Sequence, residues 1–184
     1  MGSVKRFAFH PIDVAQTYLE ETDLPTKTAK TKTAPKGRKK KRPPTLIGWR
    51  EWVGLPALGV QMIKAKADTG ARSSALHAWN IRPYEMDGER WVAFDLHPMQ
   101  RDNHVVIECE ARVIGERQVR SSTGLLQRRF VIKTELELAG RHWPIEVSLT
   151  NRDEMGFRML LGRTALRRRA IVDPSRSFLS TRRI

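Results

Sequence analysis

Turn-forming residues recur at short spacing from Leu46 onward, and the segments between them have the length of strands rather than of long helices. The turn signals are LPALG, DTG, EMDGER, IGER, STGLL and LAGRHW. Apolar residues between the turns recur at every second position, as in Ile63-Lys64-Ala65-Lys66-Ala67 and in RFVIKTELEL, residues 129–138. A period of two is typical of half-buried strands. The sequence therefore predicts an all-β barrel or sandwich.

One late segment departs from the strand pattern. GRTALRRRA, residues 162–170, begins at a glycine, ends near VDPS and predicts a helix. This is the only helix that we expect in the folded part of the chain.

The first 44 residues differ in composition from the rest. TKTAKTKTAPKGRKKKRPP, residues 26–44, is rich in Lys, Thr and Pro and has no apolar period. Such a segment cannot bury enough apolar surface to offset the entropy of ordering it. We therefore expect a disordered basic tail over residues 1–44, with a short helix in DVAQTYLEETD, and a folded domain over residues 45–184.

The charge of the chain indicates an acidic partner. The formal net charge is +14 at pH 7, which fits a nucleic acid, an anionic membrane surface or an acidic polypeptide. The single cysteine, Cys109, excludes an intrachain disulfide, and no apolar run reaches the length of a signal segment or a membrane span. These features favour a soluble, cytoplasmic protein without membrane association.

Asp68 ends a predicted strand and is followed by Thr69 and Gly70, within ADTGARSSALHA. The tripeptide alone is typical of an ordinary turn. Later in the chain, however, MLLGRTAL places an apolar run before a Gly-Arg pair and a predicted helix. Together the two motifs resemble those of the retropepsin-like aspartic proteases.

The resemblance extends to one bacterial branch over residues 46–180. ADTGARSSALHA, VRSSTGLLQRR, WPIEVSLTNRDEMGFRMLLGRTAL and VDPSRSFL resemble the RimB-like family known as ATP-dependent zinc proteases, which is associated with RimK-type ATP-grasp glutamate ligases. The resemblance implies a retropepsin-like closed β-barrel with a flap hairpin and one short C-terminal helix.

Aspartic protease chemistry needs two carboxylates that share one proton, because both cannot ionise cheaply at close range. This chain has one Asp-Thr-Gly, so the resemblance implies a homodimer in which each chain contributes Asp68. Thr69 would bridge the two loops, and Gly70 would let the backbone approach the substrate. Gly162 and Arg163 would support the catalytic loop.

The resemblance also implies a flap in ERQVRSSTGLLQRRF, which would close over the substrate and exclude water. A plain surface hairpin is the alternative. The expected substrate contacts in the loop and in the flap are Ala71, Arg72, Ser73, Ser121, Ser122 and Gly124.

Arg72 departs from the viral retropepsins, which commonly carry an acid at this position. Arg72 and Arg163 are then expected near each other without that acid, and like charges at close range are costly unless an anion lies between them. Either Asp153 or Glu154 supplies the anion, or the two arginines form a subsite for substrate carboxylates.

No cofactor or metal is expected. The sequence has no His-Glu-x-x-His motif, its five histidines are scattered, and it has no phosphate-binding loop of the Gly-x-x-x-x-Gly-Lys type. Any ATP dependence would belong to a partner, such as an ATP-grasp glutamate ligase.

Three functions remain open at this stage. The preferred one is an aspartic peptidase that hydrolyses an acidic, glutamate-extended protein tail. The second is a β-barrel that binds nucleic acid, with the basic tail as a contact. Against it, the five tryptophans lie in strand-like contexts that favour burial. The third is a retropepsin-fold domain that binds peptides without cleaving them.

Overall fold

The computed structural model describes residues 6–8, 42–99, 105–120, 126–151 and 156–180. Most of these residues are in strands. The described residues also contain one turn of 3-10 helix, Pro56–Leu58, and one short helix, α1, Arg163–Leu166. The strands are β1 (Arg6–Ala8), β2 (Thr45–Gly48), β3 (Arg50–Leu55), β4 (Val60–Asp68), β5 (Ser74–His77), β6 (Trp79–Met86), β7 (Glu89–Leu96), β8 (Val106–Arg120), β9 (Leu126–Leu138), β10 (Arg141–Thr150), β11 (Met159–Gly162) and β12 (Ala170–Asp173). The all-β prediction is confirmed.

Six strands form a closed ring of hydrogen-bonded neighbours, in the order β10, β5, β11, β4, β3, β9 and back to β10. The same sheet continues from β9 through β8 and β7 to β6, and β1 pairs with β8 in parallel. The closed ring is consistent with the closed, retropepsin-like sheet expected from the sequence.

The alternating residues of β4 and β9 face the core as predicted. Ile63 and Ala65 are buried while Lys66 is exposed, and β9 buries Ile132, Thr134, Leu136 and Leu138. The alternation changes phase at Val131 and Ile132, which are both buried. Phe130 therefore lies only partly buried, beside the register shift between Val113 and Gly115 in β8.

The predicted helix over 162–170 is wrong in length, because only residues 163–166 are helical. Arg167 has φ −54° and ψ 123°, and Arg168 has φ 63°. The chain leaves the helix there so that β12 can pair in parallel with β2. This pairing between distant segments outweighs the local helical preference of three consecutive arginines.

The burial expected of the tryptophans is correct for Trp143, which is 5% exposed, while the other four are half-buried. On the outer face of β3 and β4, Trp52 stacks on Phe178, and Lys64 lies over both rings. These rings contact each other and a cation within the chain.

The predicted helix in residues 13–23 and most of the basic tail lie outside the described residues. In the part of the chain that the structure describes, no helix has the length and apolar character needed to cross a membrane.

Candidate active site

The Asp-Thr-Gly loop begins where β4 ends. Asp68 Oδ1 accepts hydrogen bonds from the backbone N–H groups of Gly70 at 3.1 Å and Ala71 at 3.0 Å. This Asx turn fixes the direction of the carboxylate. In the described parts of the chain, no hydrogen bond to Oδ2 is present, so this oxygen is available to a reactant or to a second carboxylate.

Gly162 lies directly beside Asp68, because β11 pairs with β4 in parallel and the two residues are register partners. A Cβ atom on residue 162 would lie 2.4 Å from the carbonyl carbon of Ser73, far inside van der Waals contact. The Gly162 N–H also donates to the hydroxyl of buried Ser74 at 3.1 Å. Only glycine lets β11 and the segment after the loop approach so closely.

Arg163 and Thr164 hold all four carbonyl groups of residues 69–72. The Arg163 guanidinium donates from Nη1 to the carbonyl oxygens of Thr69 at 3.1 Å and Gly70 at 2.8 Å, and its backbone N–H donates to Ala71 at 2.9 Å. Thr164 donates to the Arg72 carbonyl from both its N–H, at 3.1 Å, and its hydroxyl, at 3.0 Å. The start of α1 therefore clamps the loop.

Thr164 is a residue that the sequence reasoning missed. Its only signal was its position directly after the Gly-Arg pair. A threonine hydroxyl there can reach the same loop as the preceding guanidinium.

The loop presents its central residues to solvent. Thr69, Gly70 and Arg72 are exposed, while Asp68, Ala71 and Ser73 are half-buried. The predicted hairpin is present, because β8 and β9 pair antiparallel from Val113↔Ile132 to Arg120↔Leu126. Its tip, with the predicted contacts Ser121, Ser122 and Gly124, lies outside the described residues.

Arg72 and Arg163 both line a surface depression of about 720 Å³, together with Thr69, Arg167, Ala170 and Val172. Considering only the described residues, no carboxylate pairs with either guanidinium, and that of Arg72 makes no hydrogen bond. Asp153 and Glu154, the alternative source of an internal acid, lie outside the described residues. The depression is therefore lined by three arginines beside the loop.

The described residues do not fit a zinc site. Structural and catalytic zinc ions need at least three His, Cys or carboxylate donors within reach, and no such group occurs among the residues with described positions. His77 is buried, with Nδ1 3.1 Å from the carbonyl oxygen of Thr150. Burial, with a smaller contribution from Asp95, raises the pKa of the Cys109 thiol to about 12, which disfavours the thiolate that binds metal.

An Asp-Thr-Gly loop at a strand end, clamped by a Gly-Arg pair within a closed β-sheet, is the arrangement expected of the retropepsin-like class. Residues 46–183 match the profile of the RimB-like family, described as "Retropepsin-like aspartic endopeptidase RimB". The chain belongs to this family.

Two relatives show which proteins contain a similar segment. A protein of Shewanella halifaxensis is 50% identical over 133 residues, and one of Parasynechococcus marenigrum is 49% identical over 132 residues. Both are named "Probable alpha-L-glutamate ligase". The matches cover 72% of this chain in each case, but only 29% and 28% of the relatives, so the chain spans less than a third of their length.

A solved structure supports the fold. The crystal structure of a protein of unknown function (DUF785) from Legionella pneumophila is similar with a TM-score of 0.62 and 28% sequence identity. The match covers 74% of this chain and 98% of that protein.

Proposed function

We propose that the chain is an aspartic peptidase that acts as a homodimer. The observation that carries the proposal is the Asp68 loop, held by Arg163 and Thr164 in a member of the retropepsin-like aspartic endopeptidase family. One chain supplies one such carboxylate, and the chemistry needs two.

In the dimer, the two Asp68 carboxylates share one proton. The ionised one takes a proton from water as the water oxygen attacks the peptide carbonyl carbon, while the protonated one donates its proton to the carbonyl oxygen. The tetrahedral intermediate then returns that proton to the second carboxylate, the first carboxyl group transfers the proton taken from water to the amide nitrogen, and the C–N bond breaks to release the amine. Thr69 bridges the two loops, and Gly70, which has no side chain, lets the backbone approach the substrate closely.

The place of a second copy is suggested by the ribbon of β2 and β12. Leu46 and Ile171 are register partners on this ribbon and are 49% and 57% exposed, which is high for large apolar side chains. Within the described residues, neither strand has a second neighbour. Because Ala170 and Val172 share a depression with Thr69, the ribbon borders the catalytic loop. Ile171 alternates with these two residues along β12 and so faces the opposite side of the ribbon, where the two-fold partner is proposed to pack.

The substrate is an acidic polypeptide, specifically a glutamate-extended protein tail made by an associated ATP-grasp glutamate ligase. This proposal is supported by the arginine-lined depression beside the loop and by the name of the relatives. Arginine pairs bidentately with carboxylates, which suits repeated glutamates. Ala71, Arg72 and Ser73 contact the substrate from the loop, and Ser121, Ser122 and Gly124 contact it from the flap.

The test is incubation of the purified protein with a glutamate-tailed protein, with product masses followed over time. Asp68→Asn keeps the size of the side chain but removes the carboxylate that shares the proton. We expect a folded dimer with hydrolysis reduced by at least about a thousandfold, near the background rate. Wild-type turnover by Asp68→Asn would exclude the mechanism. Tight binding without hydrolysis by the wild type would instead favour the peptide-binding alternative.

A further inference from the structure

A second depression opens on the other side of Arg72, between the catalytic loop, β8 and β10. It has a volume of about 350 Å³, and its lining includes Arg72, Ser73, Arg117, Pro144, Ile145 and Glu146. Arg117 lies on β8, close to the base of the hairpin, and residues 144–146 lie on β10. The loop that carries Asp68 and the hairpin therefore share this depression.

The charges in this depression are not balanced. Among the described residues, its charged lining consists of two arginines and one glutamate, which leaves one positive charge uncompensated. Arg117 forms an ion pair with Glu146. Arg72 has no carboxylate partner in the described part of the chain. One additional carboxylate would neutralise the depression.

Glu146 can be replaced as the ion-pair partner of Arg117 at a low cost in free energy. The two side chains are 41% and 52% exposed, and ion pairs that are this exposed add little to stability. A carboxylate from another molecule can therefore take the place of Glu146 on the Arg117 guanidinium, with Arg72 as a second donor. The exposed ring of Pro144 provides apolar surface for the methylene groups that precede such a carboxylate.

We propose that this depression is a subsite for one glutamate side chain of the substrate, with Arg117 as a specificity-determining residue and Glu146 as an internal competitor. In the free enzyme, the Glu146 carboxylate is paired with the Arg117 guanidinium, and the substrate carboxylate displaces it. The subsite rests on the proposed peptidase function. It explains how the enzyme recognises a glutamate at one position of the substrate, close to the bond that is cleaved.

The test compares kcat/KM for a glutamate peptide and for versions of it with glutamine at one position at a time. At the position read by the subsite, we expect Arg117→Gln to lower kcat/KM for the glutamate peptide by about tenfold or more, and to abolish the preference for glutamate over glutamine. Glu146→Gln should lower KM for the glutamate peptide about threefold to tenfold, with kcat unchanged, because the competing carboxylate is gone.

A matched ion pair on the β7–β8 part of the sheet provides the control. Arg112 pairs with Glu89, with similarly exposed side chains, outside the depression. Arg112→Gln and Glu89→Gln change the net charge as the test variants do and should leave the preference intact. Equal effects of Glu89→Gln and Glu146→Gln, or a preserved preference in Arg117→Gln, would overturn the subsite.

Peptide binding to the Asp68→Asn background separates this proposal from the peptidase function. Dissociation constants for the same peptides require no hydrolysis and can be measured by fluorescence anisotropy. A glutamate preference that Arg117→Gln removes and Glu146→Gln strengthens would support the subsite even if the wild type cleaves nothing. A dissociation constant that is equal for glutamate and glutamine at every position would overturn it.

Discussion

Gly162 determines how closely β11 approaches the loop that follows Asp68, and its role is steric. The atoms that a Cβ would meet belong to the Ser73 backbone, which cannot rotate away as a side chain can. A larger residue would therefore shift the loop backbone and distort the hydrogen bonds that Arg163 and Thr164 donate to its carbonyl groups.

We predict that Gly162→Ala lowers the free energy of unfolding by about 2 kcal/mol and reduces peptide hydrolysis at least about tenfold, because overpacking forces backbone shifts. Chemical denaturation and kinetic assays measure the two effects. Gly115→Ala is the matched control, since a Cβ there meets nothing within 4 Å. Equal behaviour of the two variants would show that the close approach at Gly162 is unimportant.

Some residues that hold the fold have no signal in the sequence. Glu51 is 1% exposed, and its carboxylate accepts hydrogen bonds from the N–H groups of Gly48 at 2.6 Å and Leu179 at 2.8 Å and from the Ser180 hydroxyl at 2.9 Å. It fastens the C-terminal segment to the start of β3. A glutamate in a strand pattern is normally assigned to solvent, and its partners lie at the far end of the chain.

Among the elements, the β8–β9 hairpin has an ionic network near its base. Glu116 on β8 pairs with Arg90 on β7 and with Arg128 on β9. The hydrogen bond from Arg90, reinforced by Arg128, lowers the pKa of the Glu116 carboxyl group. The network therefore ties three adjacent strands together only while Glu116 is ionised.

This pKa shift predicts the sign of a pH dependence. A carboxyl group whose pKa is lower in the folded state stabilises that state above its unfolded pKa of about 4.3 and loses this effect as the pH falls through the folded value. We expect Glu116→Gln to lower the melting temperature near about pH 6, and to lower it progressively less as the pH falls toward and below the folded-state pKa of Glu116. Thermal unfolding followed by circular dichroism measures the difference.

The control for this prediction is Asp87→Asn in the turn between β6 and β7, an exposed aspartate with no ion pair in the described part of the chain. It removes one negative charge without touching the network. The same pH dependence in both variants would assign the effect to net charge rather than to Glu116.

The elements that the sequence predicted well are those whose pattern is local. β4, β9 and the hairpin were marked by alternation and by turn residues, which a short window contains. The length of α1 could not be predicted in this way. Arginine favours helix, but Arg167 to Arg169 leave the helix because β12 pairs with β2. Pairings between distant segments leave little trace in a local pattern.

At the scale of the whole molecule, the proposed chemistry needs a second chain, because one chain supplies one Asp-Thr-Gly loop. Asp68, Gly162 and Arg163 could be identified from their motifs, whereas Thr164, Arg117 and Glu146 could not, because only the folded sheet brings β8, β10 and α1 beside the loop. The ribbon of β2 and β12 was equally hidden. Its exposed apolar pair and its position beside Thr69 are the reasons for proposing it as the surface on which a second chain packs.

We predict that Ile171→Arg raises the dissociation constant of the dimer at least about a hundredfold, equivalent to about 2.7 kcal/mol. A two-fold interface contains each substituted residue twice, so two charges would enter one apolar contact. Sedimentation velocity measures the dimer, and hydrolysis should fall in proportion to the dimer that remains. Met86→Arg is the control, since Met86 is 38% exposed on the β6–β7 hairpin, away from the ribbon. A dimer that tolerates Ile171→Arg would exclude the ribbon as the interface, and a fully active monomer would exclude catalysis by two chains.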